Sequence, residues 1–348
     1  MTLEESLRRR TGPAARELTE RLEGGRLRCH ACGLRCAISE GRSGVCRVRF
    51  NEGGTLKVPF GYVAALQCDP VEKKPFFHAK PGALAMSFGM LGCDLHCAYC
   101  QNWLSSQALR DSAAPSGLIE IAPRELAELA VREGAKIVAS TYNEPLITSE
   151  WAAAVFGEAK KRGLACAYVS NGNATEKVLD YLRPFVELYK VDLKSFNESR
   201  YRELGGRLGE VLATIRMLQE KGYWLEVVTL IVPGFNDTDE ELASIARFLA
   251  GVSRDIPWHV TAFHPDYKMA DRGATPVKRL LSAAGLGRAE GLRYVYAGNI
   301  PGGVGGWENT CCPGCGLVVI EREGFRVLSN LLKSGRCPKC LTPLAGRW

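Results

Sequence analysis

The sequence predicts an α/β fold: a full or partial (β/α) barrel, preceded by a small N-terminal cysteine-rich unit and followed by a C-terminal zinc ribbon. Three observations carry this reading. From about residue 83, apolar runs of five to seven residues alternate with helical stretches, as in right-handed parallel units whose sheet is covered on both faces. Eleven of the 14 cysteines fall into three tight groups, and the middle group directly follows the first barrel strand. The 348 residues, 46% hydrophobic and 24% charged, suffice for a barrel with small appendages and exclude wholesale disorder or a fibrous repeat.

Three units follow in order: 1–82, 83–300 and 301–348. In the first, Leu3, Leu7, Ala15, Leu18 and Leu22 predict a helix over 3–24, broken near Gly12-Pro13 and stopped by Gly24-Gly25. The cysteine-rich part then runs through short polar loops and needs a metal as a staple. The stretch 68–82, with three prolines, reads as an extended connector. In the second unit, strands are predicted over 83–88, 136–140, 165–170, 188–193, 225–232, 258–263 and 293–296. Helices are predicted over 123–133, 146–162, 175–182, 209–221, 239–249 and 276–284. Six or seven such units indicate a barrel rather than an open sheet, with active residues at the strand C-termini. NIPGGVGGWENT is a glycine-rich linker to the last unit.

There is no run of about 18 apolar residues, which excludes a membrane-spanning helix. MTLEESLRRR is not followed by an apolar segment, which argues against a secretory signal and for a cytoplasmic protein. In a reducing compartment clustered cysteines read as metal ligands before disulfides. The formal net charge is +7, but thiolate metal sites in all three groups would reduce it to about +2. The basic balance is therefore no argument for nucleic-acid binding.

The middle group stands in GMLGCDLHCAYCQN as Cys93, Cys97 and Cys100. Three thiolates hold three irons of a [4Fe–4S] cube and leave the fourth open to an exchangeable ligand. His96 would complete a zinc site instead. Cys312, Cys315, Cys337 and Cys340 form two CxxC pairs around a spacer with strands over 317–320 and 325–328. That is a zinc-ribbon pattern, with a rubredoxin-like iron site as the alternative. Cys29, Cys32, Cys36 and Cys46, spaced by two, three and nine residues, suit zinc or a further iron–sulfur cluster, with His30 as an alternative ligand. A zinc-stapled module binding nucleic acid or protein is the competing function class. The barrel alternation and the three-cysteine loop favour an enzyme.

The three-cysteine spacing, with Tyr99 just before the third cysteine, resembles the signature of the radical SAM superfamily. DPVEKKPFFHAKPG, SFGMLGCDLHCAYCQN, YNEP, SNGN, VDLK and the C-terminal cysteine pairs together resemble the radical SAM member of the AmmeMemoRadiSam system. That group is a relative of the pyruvate formate-lyase activating enzymes, and the resemblance runs from about residue 27 to the end. It implies a barrel of radical SAM type with a [4Fe–4S] cluster whose open iron chelates S-adenosylmethionine. One electron, from a donor such as ferredoxin or flavodoxin, cleaves the S–C5′ bond. The 5′-deoxyadenosyl radical then abstracts hydrogen from a substrate. The substrate is a small molecule or, as in glycyl-radical activation, a protein. No eight-cysteine insertion follows Cys100, which counts against the activating enzymes with two extra clusters.

The resemblance also implies roles for single residues. Tyr99 offers a face to the adenine. Asn143 and Glu144 stand at the cofactor's ammonium, although Tyr142-Asn143 occupy the place of two glycines in relatives. Ser170 and Asn171 end the third strand where activating enzymes carry Asp-Thr-Asn-Gly; Val169 replaces the Asp and weakens the expectation of a cation there. Asp192 and Lys194 share one strand face and would meet the sulfonium and carboxylate end. His264 would bond the ribose or carboxylate. The plainer readings are a helix-start acid for Glu144, an Asn-Gly turn at 171–172, a solvated ion pair for Asp192 and Lys194, and a packing role for His264.

Overall fold

In the computed structural model, residues 3–114, 117–300 and 303–348 are described; Met1, Thr2, Pro115, Ser116, and Pro301 and Gly302 of the glycine-rich linker lie outside them. Eight strands build the central sheet in chain order: β1 (Ala65–Pro70), β2 (Leu84–Gly89), β3 (Ile137–Ser140), β4 (Ala165–Ser170), β5 (Leu188–Asp192), β6 (Trp224–Ile231), β7 (Trp258–Ala262) and β8 (Val295–Gly298). Strand β1 is antiparallel to β2. The other seven are parallel. Among the described residues β8 does not pair with β1, so the barrel is partial.

Both faces of the parallel strands are apolar, as burial on both sides requires. Met86, Val138, Cys166, Tyr168, Tyr189, Val191 and Val227 pack outward with the helices in the main core. Ala85, Ile137, Ala139, Ala165, Ala167, Leu188 and Trp224 face inward. Helices Pro123–Arg132, Ser149–Lys161, Glu176–Leu182, Leu208–Glu220, Asp239–Val252 and Val277–Ala289 follow successive strands. Two start on threonine caps: Thr175 accepts from the Val178 amide and Thr238 from the Glu241 amide. A short helix, Glu198–Glu203, capped by Asn197, was not expected, because six residues carry too little periodicity to show in sequence.

The N-terminal unit departs from expectation. Over 3–24 only Leu3–Arg8 is α-helical, with a single 3-10 turn at Arg16–Leu18. Thr11–Pro13 pairs with Lys57–Pro59, and Thr19–Arg21 with Leu27–Cys29. Leu18, which looks helix-periodic in sequence, ends that short turn and packs into the main core, while Leu27 is buried in a separate cluster with Cys29, Ile38 and Val58. Gly24 and Gly25, at φ +67° and +72°, turn the second hairpin rather than end a helix. The connector also differs. Its first residues belong to β1, so the sheet begins before residue 83. The rest enters the barrel, where Val71, Phe76 and Ala79 pack on the inward alanines.

The ribbon has strands Val318–Glu323 and Arg326–Asn330, antiparallel as expected. It covers the end of the barrel where the strands start. Glu226, wholly buried on β6, accepts from the Phe77 and His78 amides at 3.0 and 2.9 Å, Trp224 Nε1 at 3.0 Å and His259 Nε2 at 2.7 Å. Arg322 of the ribbon donates to the Phe77 carbonyl at 2.7 Å and Thr310 Oγ1 at 2.8 Å, and pairs with buried Glu72 at 3.5 Å. No described helix is long and apolar enough to cross a membrane.

His78 lies between barrel and ribbon, bonded to the Ala345 carbonyl at 2.7 Å and to the Tyr296 hydroxyl. Burial holds its pKa down to about 4. Its contribution to stability is complete above pH about 6.5, where both states are neutral. It is lost as pH falls from there toward about 4, because the unfolded chain takes up the proton first. Urea unfolding of wild type and His78→Gln across this range should show a shallower acid loss in the variant. Equal slopes would remove His78 from the acid response.

Candidate active site

The loop after β2 carries Cys93, Cys97 and Cys100. Gly89 lets it leave the strand: a Cβ there would lie 2.6 Å from the Thr141 carbonyl oxygen. Asp94, fully buried, anchors the loop. Its two oxygens accept from Asn171 Nδ2 at 2.7 Å and Asn173 Nδ2 at 2.8 Å. The Leu95 carbonyl accepts from Gln107 Nε2 at 3.2 Å, and the His96 amide donates to the Leu204 carbonyl at 2.9 Å. The Leu95 amide lies 3.4 Å from Cys93 Sγ, and Ser106 Oγ lies 3.1 Å from Cys100 Sγ. Burial pushes all three thiols up, Cys97 to about 12. A metal must therefore displace their protons on binding.

The three cysteines open onto a cavity of about 450 Å³ at the strand C-termini. Tyr99, Asn143, Glu144, Ser170, Asn171, Asp192 and Lys194 all line it. Tyr99 is buried in an apolar patch and stands edge-on to Phe235, with ring centroids 5.4 Å apart. Asn143 Oδ1 accepts from the Met90 amide at 3.0 Å, tying the loop after β3 to the one after β2. Glu144, 2% exposed, accepts from Ser170 Oγ and the Asn171 amide, both at 2.7 Å, and from the Leu146 amide at 3.1 Å. Burial, and then the nearby Asp94 charge, raise its pKa to about 8. Both the helix-start role and the cavity position thus fall on one residue. Ser170 and Asn171 spend their side chains on Glu144 and Asp94, so they shape the loops.

Asp192 sits between two lysines. Lys194 Nζ is 3.5 Å from Asp192 Oδ2, and Lys190 Nζ bonds Oδ1. The Asp192 charge holds the Lys194 pKa well above its usual value despite burial. His264 does not join the site: it is exposed and bonds the Asn299 carbonyl at 3.1 Å. His96 packs against Gly205 rather than lining the cavity. Sequence reasoning missed Asp94, Asn173 and Lys190. Lys190 had a visible signal, since 190, 192 and 194 alternate onto one strand face.

Among the described residues, the ribbon cysteines are the one group of three or more possible ligands whose ligand atoms all lie within 4.8 Å of one another. The Cys312–Cys340 and Cys315–Cys337 sulfurs are 3.5 and 3.7 Å apart. Thiolates on a tetrahedral ion with bonds near 2.3 Å stand about 3.8 Å apart. The ribbon fits such an ion. The sulfurs of Cys93, Cys97 and Cys100 do not all lie within 4.8 Å of one another.

Asp94→Ala would leave the Asn171 and Asn173 amides without a buried acceptor, at about 1–3 kcal/mol for each unsatisfied group. The expected outcome is a lower thermal midpoint together with faster loss of iron to a chelator. Unchanged values for both would show that Asp94 does not hold the loop.

Residues 89–249 match the family described as the Radical SAM superfamily. The chain is 36% identical over 325 residues to the uncharacterized protein MJ0808 of Methanocaldococcus jannaschii, covering 92% of this chain and 96% of that protein. It is 28% identical over 122 residues to the isethionate sulfite-lyase activating enzyme of Oleidesulfovibrio alaskensis, covering 33% of this chain and 40% of that enzyme. Among solved structures, a radical SAM methyltransferase from Sphaerobacter thermophilus aligns at 16% identity and a TM-score of 0.49, covering 83% of this chain and 78% of that one. With its cysteine loop at the head of a partial barrel, the chain belongs to the radical SAM superfamily, enzymes that cleave S-adenosylmethionine.

Proposed function

We propose that this chain is the radical SAM enzyme of an AmmeMemoRadiSam system, with a [4Fe–4S] cluster on Cys93, Cys97 and Cys100. One observation carries the reading: three thiols, Cys97 buried and Cys93 and Cys100 half-buried, face a cavity of about 450 Å³ that also presents a buried carboxylate and a Lys–Asp–Lys triad. When bound there, the cluster and S-adenosylmethionine supply reductive S–C5′ cleavage and hydrogen abstraction. The protein's part is to bind, orient and exclude water. Glu144 uses three of its carboxylate's roughly four lone-pair positions internally, which leaves one for the cofactor's ammonium. Lys194, kept protonated by the Asp192 charge despite burial, would meet the cofactor's carboxylate. Tyr99 forms an aromatic wall for the adenine.

The electron comes from a ferredoxin- or flavodoxin-type donor, and the four ribbon thiols hold zinc. Both assignments place the chain in the reducing cytoplasm. The substrate is a small molecule or a protein. Similarity to activating enzymes favours the protein, as in glycyl-radical activation. The segment from Cys100 to the next strand at Ile119 carries no further cysteine, so the extra-cluster type of activating enzyme is not the match. A zinc-stapled binding module explains the ribbon but not the cavity.

Anaerobically reconstituted protein with dithionite should release 5′-deoxyadenosine. Cys93→Ala, Cys97→Ala or Cys100→Ala should each abolish it, because each removes an iron ligand. Product formation by any of the three would overturn the assignment. Incubation with cell metabolites and labelled cofactor, read by mass spectrometry, addresses the substrate.

Lys194→Ala should keep the cluster and weaken cofactor binding. A lost charge-assisted hydrogen bond is worth about 1.5–3 kcal/mol, or about tenfold to a hundredfold in affinity. Calorimetric titration of the reconstituted protein checks this. Unchanged affinity would leave Lys194 as a structural partner of Asp192 only.

A further inference from the structure

We propose that Cys29, Cys32, Cys36 and Cys46 hold a second [4Fe–4S] cluster, ligated at all four corners by protein. The four cysteines line one small enclosed cavity, shared with Ala31, Leu34, Ile38 and Ile147. Cys29, Cys32 and Cys46 are buried, and Cys36 is half-buried. Sequence spacing favours zinc and leaves an iron–sulfur cluster as the alternative; the spread of the sulfurs favours the cluster. In this chain the ribbon shows what a single-ion site looks like, with its four ligand atoms within 4.8 Å of one another. Among the described residues no three of the N-terminal thiols meet that limit. Thiols that share a cavity yet stand too far apart for one tetrahedral ion suit a cube, whose irons present ligand positions at four separate corners.

The surroundings agree. His30, the alternative ligand, is turned away: its Nε2 lies 2.8 Å from Glu20 Oε2 and 3.3 Å from Lys177 Nζ, and it does not line the cavity. Backbone amides of Leu34, Val45, Val48 and Arg49 are directed at the sulfurs of Cys32, Cys36 and Cys46. Such bonds steady cluster sulfurs. The Arg49 guanidinium, 1% exposed, borders the same cavity and is held by two bonds to Glu150 at 2.8 and 2.7 Å. It sets a fixed positive charge beside a site that would carry net negative charge. The site also abuts the loop of the first cluster: a Cβ on Gly92 would lie 3.1 Å from the Cys46 carbonyl oxygen. With four cysteines and no open corner, this cluster does not take S-adenosylmethionine.

The test uses the full chain with Cys93, Cys97 and Cys100 all changed to Ala, reconstituted anaerobically with iron and sulfide. It should retain about four irons and four sulfides per chain, with a reduced-state EPR signal unaltered by S-adenosylmethionine. Absence of sulfide, whether with zinc in its place or with no added metal, would overturn the proposal. A signal that shifts with S-adenosylmethionine would overturn the four-corner ligation. If the triple variant does not fold, the reconstituted wild type decides: about eight irons and eight sulfides support two clusters, and half that number refutes the second. These counts do not depend on cofactor cleavage, so they stand or fall apart from the function proposed above.

Discussion

Two buried carboxylates hold the active end of this barrel together. Asp94 and Glu144 sit on the loops after β2 and β3, and both reach residues at the end of β4. Burial, and then the Asp94 charge, oppose ionisation of Glu144. Five internal donors make the arrangement tolerable: the Asn171 and Asn173 side-chain amides, Ser170 Oγ, and the Asn171 and Leu146 backbone amides. Asn171 serves both acids, one through its side chain and the other through its backbone. Three consecutive strand-end loops are thereby fixed relative to one another. The thiols of the first loop inherit that fixed position, as a preorganised site requires.

The opposite end of the barrel is built on the same principle. Glu226 is fully buried and satisfied by four donors from three elements. Because β8 and β1 do not pair, the segment after β1 must pack where a closed barrel would have hydrogen bonds. Phe77 does so against Tyr296 of β8, with ring centroids 4.8 Å apart. Arg322 then fastens the ribbon to that segment through the Phe77 carbonyl. Chemistry at the strand C-termini and stabilisation at the N-termini divide the molecule in the way barrel enzymes do.

The barrel was legible because strands buried on both faces become continuous apolar runs, while their helices keep a 3.6-residue period. Ala165–Ser170 falls on the expected residues. The N-terminal strands were not legible. They are two to five residues long, the leucines around them mimic a helical stripe, and Thr11–Pro13 finds its partner more than 40 residues downstream. Strand β1 was hidden for a similar reason: Pro70 and its neighbours read as coil, and only pairing with β2 makes them a strand. At the site, motif residues were found and their supports were not. Asp94 has partners 77 and 79 positions away, and an Asn-x-Asn pair after a strand reads as a turn. The cysteine groups could be counted in sequence, but the distances that separate a cube from a single ion exist only in three dimensions.

Tyr142 shows how a departure from a family pattern is absorbed. It stands in the place of a glycine in the resembled motif and still adopts a left-handed backbone, at φ +71°. For a residue with a Cβ this costs about 1–2 kcal/mol. The surroundings offset the cost. Lys74, 5% exposed, donates to the Tyr142 hydroxyl at 3.1 Å and lies 4.8 Å from the ring centroid. Lys74 is itself anchored by Asp69 of β1 at 3.2 Å. Asn143, in place of the second glycine, uses its side chain to hold the Met90 amide. The turn therefore keeps the shape that delivers Glu144 to the cavity. Side chains now occupy the space that glycines leave open to a ligand's backbone contact. Strand β1 thus supports the active-site wall from behind: its Asp69 anchors Lys74, which lines the cavity together with Tyr142.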